Sequence, residues 1–361
     1  MDEQTDAYGD DELDDELVDP LLRMLAAAPA VPLGTATLPP GTLVGQSYRL
    51  QRRLGAGAMG VVYEAVDQVL SRRVALKVHE IGRSDRAARM WREARAMARL
   101  SHPNVVTVHE VGVDGSRGFI AMELVEGTNA RQWCEARPRT WSEILAVYRA
   151  AGAGLAAAHA VGLVHRDFKP DNVMVGPDGR PRVLDFGLAR PAPIDTDDEL
   201  LADDDALLLA DQEYEALSGE GEDRVSELIL REPSGPNTAN NFALQYDVTH
   251  TGMVSGTPAY MAPEQHRGEP GGAAADQFAF CVALWEALYR KRPFEGRSYF
   301  ELSDAILTGK RVAVPKSTHV PTWLQRVVER GLAVEPRDRH PSIQSMLASI
   351  VFIFRIMHGP V

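Results

Sequence analysis

Cysteine is nearly absent from the 361-residue chain, which has only Cys134 and Cys281. Two thiols so far apart exclude a disulfide framework and a thiolate zinc cluster, and they read as ordinary buried side chains. Long hydrophobic runs are missing too. The stretch from Pro20 to Leu33 is too short to span a bilayer and contains Arg23 and prolines. The apolar run from Met346 to Met357 is also short and includes Arg355, so it reads as a last buried helix rather than a span, with its VFIFRIM end either finishing the core or forming an exposed docking surface. The chain opens on MDEQTDAYGDDELDDEL, acidic where a secretory signal needs a basic start. No internal repeat, heptad or Gly-X-Y period suggests a fibre. No helix-turn-helix or zinc-finger signature points to nucleic acid. A cytoplasmic protein without a membrane span is the expectation.

What is present is a 45% apolar, 25% charged chain, enough for two compact domains or one bilobed unit. The formal net charge of −13 is unevenly placed. Residues 1–41 carry ten acids against one base, and residues 191–250 carry sixteen acids against two bases. The remainder is therefore basic by ten, a positive body with two acidic appendages.

Residues 1–41 read as a disordered acidic lead-in and linker. From Tyr48, alternating apolar positions predict strands in YRLQRRLG, VVYEAVD and RRVALKVHE. A helix is predicted from Ser84 to Leu100, then strands in VVTVHEVGV and GFIAMELV. From Trp141 the texture is helical, with one hairpin (NVMV, the turn GPDG, RPRVLDF) and later helices in DQFAFCVALWEALY, SYFELSDAIL, PTWLQRVVERGL and SIQSMLASIVFIF. A small β-rich lobe, a larger helical lobe and a 60-residue acidic interruption result.

Chemistry concentrates at four strings. Gly55-Ala56-Gly57-Ala58-Met59-Gly60 is a turn whose backbone N–H groups can approach phosphates. Alone it also fits a dinucleotide fold, but a strand follows it where that fold requires a helix. Lys77, in VALK at the end of a strand, needs an anionic partner if it points inward, and Glu93 in the next helix is suitable. The string His165-Arg166-Asp167-Phe168-Lys169-Pro170-Asp171-Asn172 is followed, across the hairpin, by Asp185-Phe186-Gly187. The hairpin brings Asp185 beside Asn172, two oxygen-bearing side chains suited to hard divalent ions.

Together with Ala262-Pro263-Glu264 in GTPAYMAPEQ, these strings resemble the eukaryotic-like, Hanks-type protein kinase family, most closely the bacterial serine/threonine kinases. The resemblance runs from Tyr48 to at least Ile350, interrupted by the acidic insertion 191–248. It implies an α+β, bilobed kinase domain over 42–355, with an N-lobe at 48–122, a hinge at 123–126 and a C-lobe at 127–355. It further implies that Lys77, steadied by Glu93, anchors the ATP phosphates beneath Gly55, Gly57 and Gly60. Leu54, Val62 and Ala75 would enclose the adenine, Met122 would be the gatekeeper, and backbone groups of Glu123 and Val125 would meet the base. Asn172 and Asp185 would hold Mg²⁺, with Mn²⁺ as a substitute. Asp167 would take the acceptor proton and Lys169 would neutralise the moving phosphoryl group. Asp276 would brace the catalytic loop and Arg339 would pair with Glu264.

Lys169 and Thr257 fit serine/threonine rather than tyrosine acceptors, and the GTPAYMAPE platform argues for protein substrates over a small-molecule phosphotransferase. Thr249 and Thr251 sit where similar kinases autophosphorylate, in trans through a transient homodimer, with Arg166 as the cation that receives the phosphate. A catalytically weak scaffold is the alternative class, disfavoured by the intact catalytic set. The insertion is expected to lie across the substrate groove of the basic body and compete with substrates.

Overall fold

The computed structural model of the chain describes residues 37–57, 60–80, 97–186, 257–315 and 318–358. Glu93, Gly187, Thr249, Thr251 and the acidic insertion lie outside the described residues.

Six strands build the small lobe: β1 (Leu43–Val44), β2 (Tyr48–Gly57), β3 (Gly60–Asp67), β4 (Arg72–Glu80), β5 (Val108–Asp114) and β6 (Arg117–Glu123). They form one antiparallel sheet in the order β1-β2-β3-β4-β6-β5. Alternation along each strand gives the sheet two apolar faces. Val61, Tyr63, Val74, Leu76, Val78 and Phe119 close a core belonging to the small lobe alone. Ala75, Ile120 and Met122, the alternate positions, join the core of the large lobe. A side chain on that second face, such as Lys77, therefore looks into the cleft between lobes. Packed structure extends into residues 38–41: the Leu38 N–H donates to the Tyr63 hydroxyl (2.8 Å), and Gly41 N–H donates to Leu50 O (2.8 Å).

The large lobe comprises α1 (Ala130–Glu135), α2 (Trp141–Ala160), α3 (Pro263–His266), α4 (Ala273–Tyr289), α5 (Tyr299–Leu307), α6 (Thr322–Gly331) and α7 (Ile343–His358). A second sheet, β7 (Thr128–Asn129), β8 (Val173–Val175) and β9 (Pro181–Val183), is also antiparallel. Thr140 and Glu143 cap α2 reciprocally, each side chain bonding the other's backbone N–H. Helix α4 is apolar nearly all round and lies buried at the centre of the lobe, its Phe280 ring edge-on to Tyr148 of α2. Among the described residues no helix is long and apolar enough to cross a membrane.

Among the described residues the lobes are joined by the pair Lys77–Asp185 and at two further places. Val106 N–H donates to Val183 O (3.0 Å), Val183 N–H to Asn104 O (2.9 Å), and the Asn104 amide to Pro181 O (2.9 Å). Gly154 of α2 permits this contact, since a Cβ there would lie 2.5 Å from Asn104 O. The second tie is the connection from β6 to β7. Arg73 of β4 pairs with Glu126, and Arg182 of β9 pairs with Glu123 (2.8 Å).

The predicted strands and helices occur where the described residues allow a comparison. The strand expected from Val105 starts instead at Val108, because Val105 and Val106 bond Val183 of the other lobe. Of the helix expected over 84–100, residues 97–99 are helical and the segment before them is not described.

Candidate active site

The segment between α2 and β8 is held from below by one carboxylate. Asp276, in the first turn of α4 and 1% exposed, faces His159 Nε2 (2.8 Å) and accepts the backbone N–H groups of His165 (2.7 Å) and Arg166 (2.7 Å). This grip holds Arg166 in the left-handed region, with φ of 64°. His165 is fully buried between Phe168 and Phe186, its ring centroid 5.6 and 4.8 Å from theirs. Burial lowers its pKa, so the ring is neutral and acts as a packing wedge.

Above the wedge the polar groups converge. Lys169 Nζ lies 2.7 Å from Asp167 Oδ2. The Asn172 amide donates to Asp167 O (2.8 Å), which turns its own carbonyl oxygen away from that bond. Leu184 N–H donates to Asn172 O (2.8 Å), so the hairpin does set Asp185 next to the Asp167–Asn172 segment. Asp185 adopts φ of 54°, and its Oδ1 meets Lys77 Nζ at 2.7 Å. Burial pushes the Asp185 pKa up, but the attraction of Lys77 outweighs it and the net shift is downward. The carboxylate is ionised at neutral pH. Among the described residues, then, Lys77 reaches Asp185; Glu93 is not described.

The small lobe supplies a roof. Lys77 is paired across the sheet with Val62, and Ala75 with Met122. Leu54 falls in the irregularity between Arg53 and Gly55, and is 39% exposed. Gly60, paired with Gly57, has φ of 122°, and a Cβ there would sit 2.3 Å from Val78 O, so the fold itself demands glycine. At Gly55 a Cβ would meet nothing within 4 Å. The fold leaves that place open. Val62 and Val125 pack against the large-lobe core, and Glu123 N–H donates to Thr107 O (2.8 Å).

Thr257–Tyr260 form a 3₁₀ turn that leads into α3. Here Glu264 and Arg339, 5% and 1% exposed, join through two parallel 2.7 Å bonds. Sequence reasoning missed a second cluster beside this turn: Arg131 of α1 bonds Asp171, Glu286 of α4 and the Tyr260 hydroxyl. A lone arginine at a helix start carries no signal that separates it from a solvated one.

The profile described as "Protein kinase domain" matches residues 48–202, and that described as "Protein tyrosine and serine/threonine kinase" matches residues 240–350. The serine/threonine-protein kinase PknL of Mycobacterium tuberculosis is 30% identical over 328 residues, covering 89% of this chain and 69% of PknL. The chain belongs to the bacterial Hanks-type serine/threonine kinase family. Among this family, PknA of Mycobacterium tuberculosis is 32% identical over 311 residues. PknD of Chlamydia abortus is 30% identical over 322 residues. Each match covers 84% of this chain, which spans 60% of the length of PknA and 31% of PknD. The crystal structure of the Mycobacterium tuberculosis PknI kinase domain, a cysteine-to-alanine mutant, superposes with a TM-score of 0.57 at 25% identity, covering 88% of this chain and 98% of that one. The bilobed kinase fold expected from the sequence is thereby shown.

Proposed function

We propose that this kinase transfers the γ-phosphoryl group of ATP to serine and threonine hydroxyls of proteins. The observation that carries the reading is the convergence of Lys77, Asp167, Lys169, Asn172 and Asp185 from both lobes onto one cleft. Leu54, Val62 and Ala75 would enclose the adenine. The Glu123 N–H is held by Thr107, so base contacts fall to the Glu123 carbonyl and the Val125 N–H. The open place at Gly55, with Gly57, lets phosphate come close to backbone amides. Gly60 would act by shaping that turn. Lys77 would hold the phosphates, steadied by Glu93.

Asn172 and Asp185 fit a magnesium site, with manganese as a substitute: one amide oxygen and one ionised carboxylate, leaving other positions to phosphate and water. Such an ion supplies charge neutralisation at the triphosphate. Asp167 takes the acceptor proton as the hydroxyl oxygen bonds the γ-phosphorus and the bond to the departing ADP oxygen breaks. Lys169 neutralises the transferring group. The cytoplasm, where ATP is supplied, is the proposed site of action. Activation would come from phosphorylation of Thr249 or Thr251 within a transient homodimer, the phosphate drawn to Arg166.

The test is phosphate transfer from labelled ATP to a basic protein, followed by phosphoamino-acid analysis. Phosphoserine and phosphothreonine are expected. Asp167→Ala, Lys77→Met and Asp185→Ala should each lower the rate on the order of 10²-fold or more while thermal melting stays cooperative. Near-normal turnover by folded Asp185→Ala would overturn the metal assignment. Mass spectrometry of the ATP-treated chain should find phosphate on Thr249 or Thr251.

A further inference from the structure

Between β6 and β7 the chain passes from one lobe to the other through Leu124, Val125, Glu126 and Gly127. Both flanks of this crossing are held tightly. Glu123 donates its N–H to Thr107 O (2.8 Å), and its carboxylate meets Arg182 Nε (2.8 Å). Gly127, with φ of 148°, runs so close to β8 that a Cβ there would lie 2.1 Å from Val175 O. In between, the backbone of Leu124, Val125 and Glu126 makes no hydrogen bond among the described residues. Leu124 and Val125 pack their side chains against the core. The polar hold on the stretch is the Glu126 carboxylate, which pairs with Arg73 Nη1 (2.5 Å).

Arg73 arrives at that pair already fixed. It lies on the cleft face of β4, two residues before Ala75 and four before Lys77. Its Nε and Nη2 both bond Glu64 Oε1 (2.8 and 2.7 Å), and Arg52 Nη2 takes Glu64 Oε2 (2.8 Å). The Glu64 side chain is only 9% exposed, so it offers a rigid seat to the half-exposed guanidinium. Burial would raise the Glu64 pKa, but Arg73 and Arg52 outweigh it, and the carboxylate is charged. Exposed ion pairs usually contribute little, because two long side chains must be ordered to form them. Here Glu64 orders the arginine beforehand, and the planar fork leaves Nη1 for Glu126.

We propose that Arg73 is a positioning residue for the nucleotide: through Glu126 it sets the backbone of the crossing, so that the Val125 N–H is aimed at the adenine edge before ATP arrives. The inference rests on the protein-kinase reading above, which gives Val125 its contact with the base. The full chain is assayed at saturating basic protein with ATP varied, and ADP and inorganic tripolyphosphate are each titrated as inhibitors. Arg73→Ala and Glu126→Gln should each raise KM for ATP by roughly two- to fivefold, the worth of an ion pair near a surface, with kcat unchanged. ADP should bind Glu126→Gln more weakly by the same factor. Tripolyphosphate, which has no base, should inhibit wild type and Glu126→Gln equally. The double variant should be no worse than Arg73→Ala, because both changes remove one contact. Arg73→Lys, which keeps the charge without the fork, should fall between wild type and Arg73→Ala. Glu126 is exposed, so Glu126→Gln serves if Arg73→Ala, which also uncovers Glu64, does not fold. An unchanged KM for ATP in folded Glu126→Gln overturns the inference alone. So does an equal weakening of ADP and tripolyphosphate, which would make the pair a brace of the whole cleft, and so do additive losses in the double variant. A wild-type chain that transfers no phosphate from ATP overturns the kinase reading and the inference together.

Discussion

Arg339 has five N–H donors, and all five are used. Nε bonds Ala333 O; Nη1 bonds Glu264 and Ala274 O; Nη2 bonds Glu264 and Val334 O, at 2.7 to 3.0 Å. Removing it leaves a buried carboxylate and three carbonyls without partners. Arg339→Ala should therefore cost about 3–5 kcal/mol, read from urea unfolding, and Lys, with no fork, should rescue little of it. An unchanged midpoint would sink this account. Asp276→Ala acts differently, since it frees the backbone amides of His165 and Arg166. We expect a loss of about 1–3 kcal/mol per unpaired buried amide together with a fall in kcat; kinetics on folded protein check the second part. Both residues were legible in the sequence because each sits in a motif with a fixed partner. Arg131 was not, because its two acids come from Asp171 and Glu286, which only the fold brings together.

At the scale of elements, α2 and the 102–106 segment hold a test with an informative sign. Glycine inside a helix ordinarily weakens it, by about 1 kcal/mol relative to alanine. At Gly154 the added methyl would strike the Asn104 carbonyl at 2.5 Å. Gly154→Ala should therefore destabilise, by about 1–3 kcal/mol, against the helical preference. Thermal melting decides it, and a stabilised variant would show that the segment yields. Strand alternation and the longer helices were readable because each repeats its period several times. Helices α1 and α3, of six and four residues, are too short to display one. The start of β5 was hidden for another reason. Val105 and Val106 have strand-like side chains, but their bonds go to Val183 across the lobes, and no local pattern encodes that choice.

At the scale of the whole molecule, the histidines and carboxylates with shifted pKa values among the described residues share a sign. Burial lowers the pKa of His165, of His102 and His340, and of His109 where Arg72 adds to it. Asp185, Asp171 and Glu64 are lowered as well, their cationic partners outweighing burial. In both classes the unfolded chain binds protons more readily than the folded one, so stability falls as pH falls. The histidine contribution begins to be lost below about pH 6.5, the ordinary value, and the loss is complete beneath the lowered folded values. The carboxylate contribution is present above the ordinary value near 3.8 for the aspartates and 4.5 for Glu64, and is lost as pH drops through the folded values. Melting temperature should decline steadily from about pH 7.5 to about 5.5 at fixed ionic strength. A rise over that interval would contradict the buried, neutral state of these histidines.

Strand β4 meets its surroundings at both ends of one short stretch. Arg73 pairs with Glu126 of the connecting segment, and Lys77, four residues on, meets Asp185 of the large lobe at 2.7 Å. The same strand therefore grips the back wall of the cleft with one side chain and its floor with another, as a single rail braces two faces of a frame.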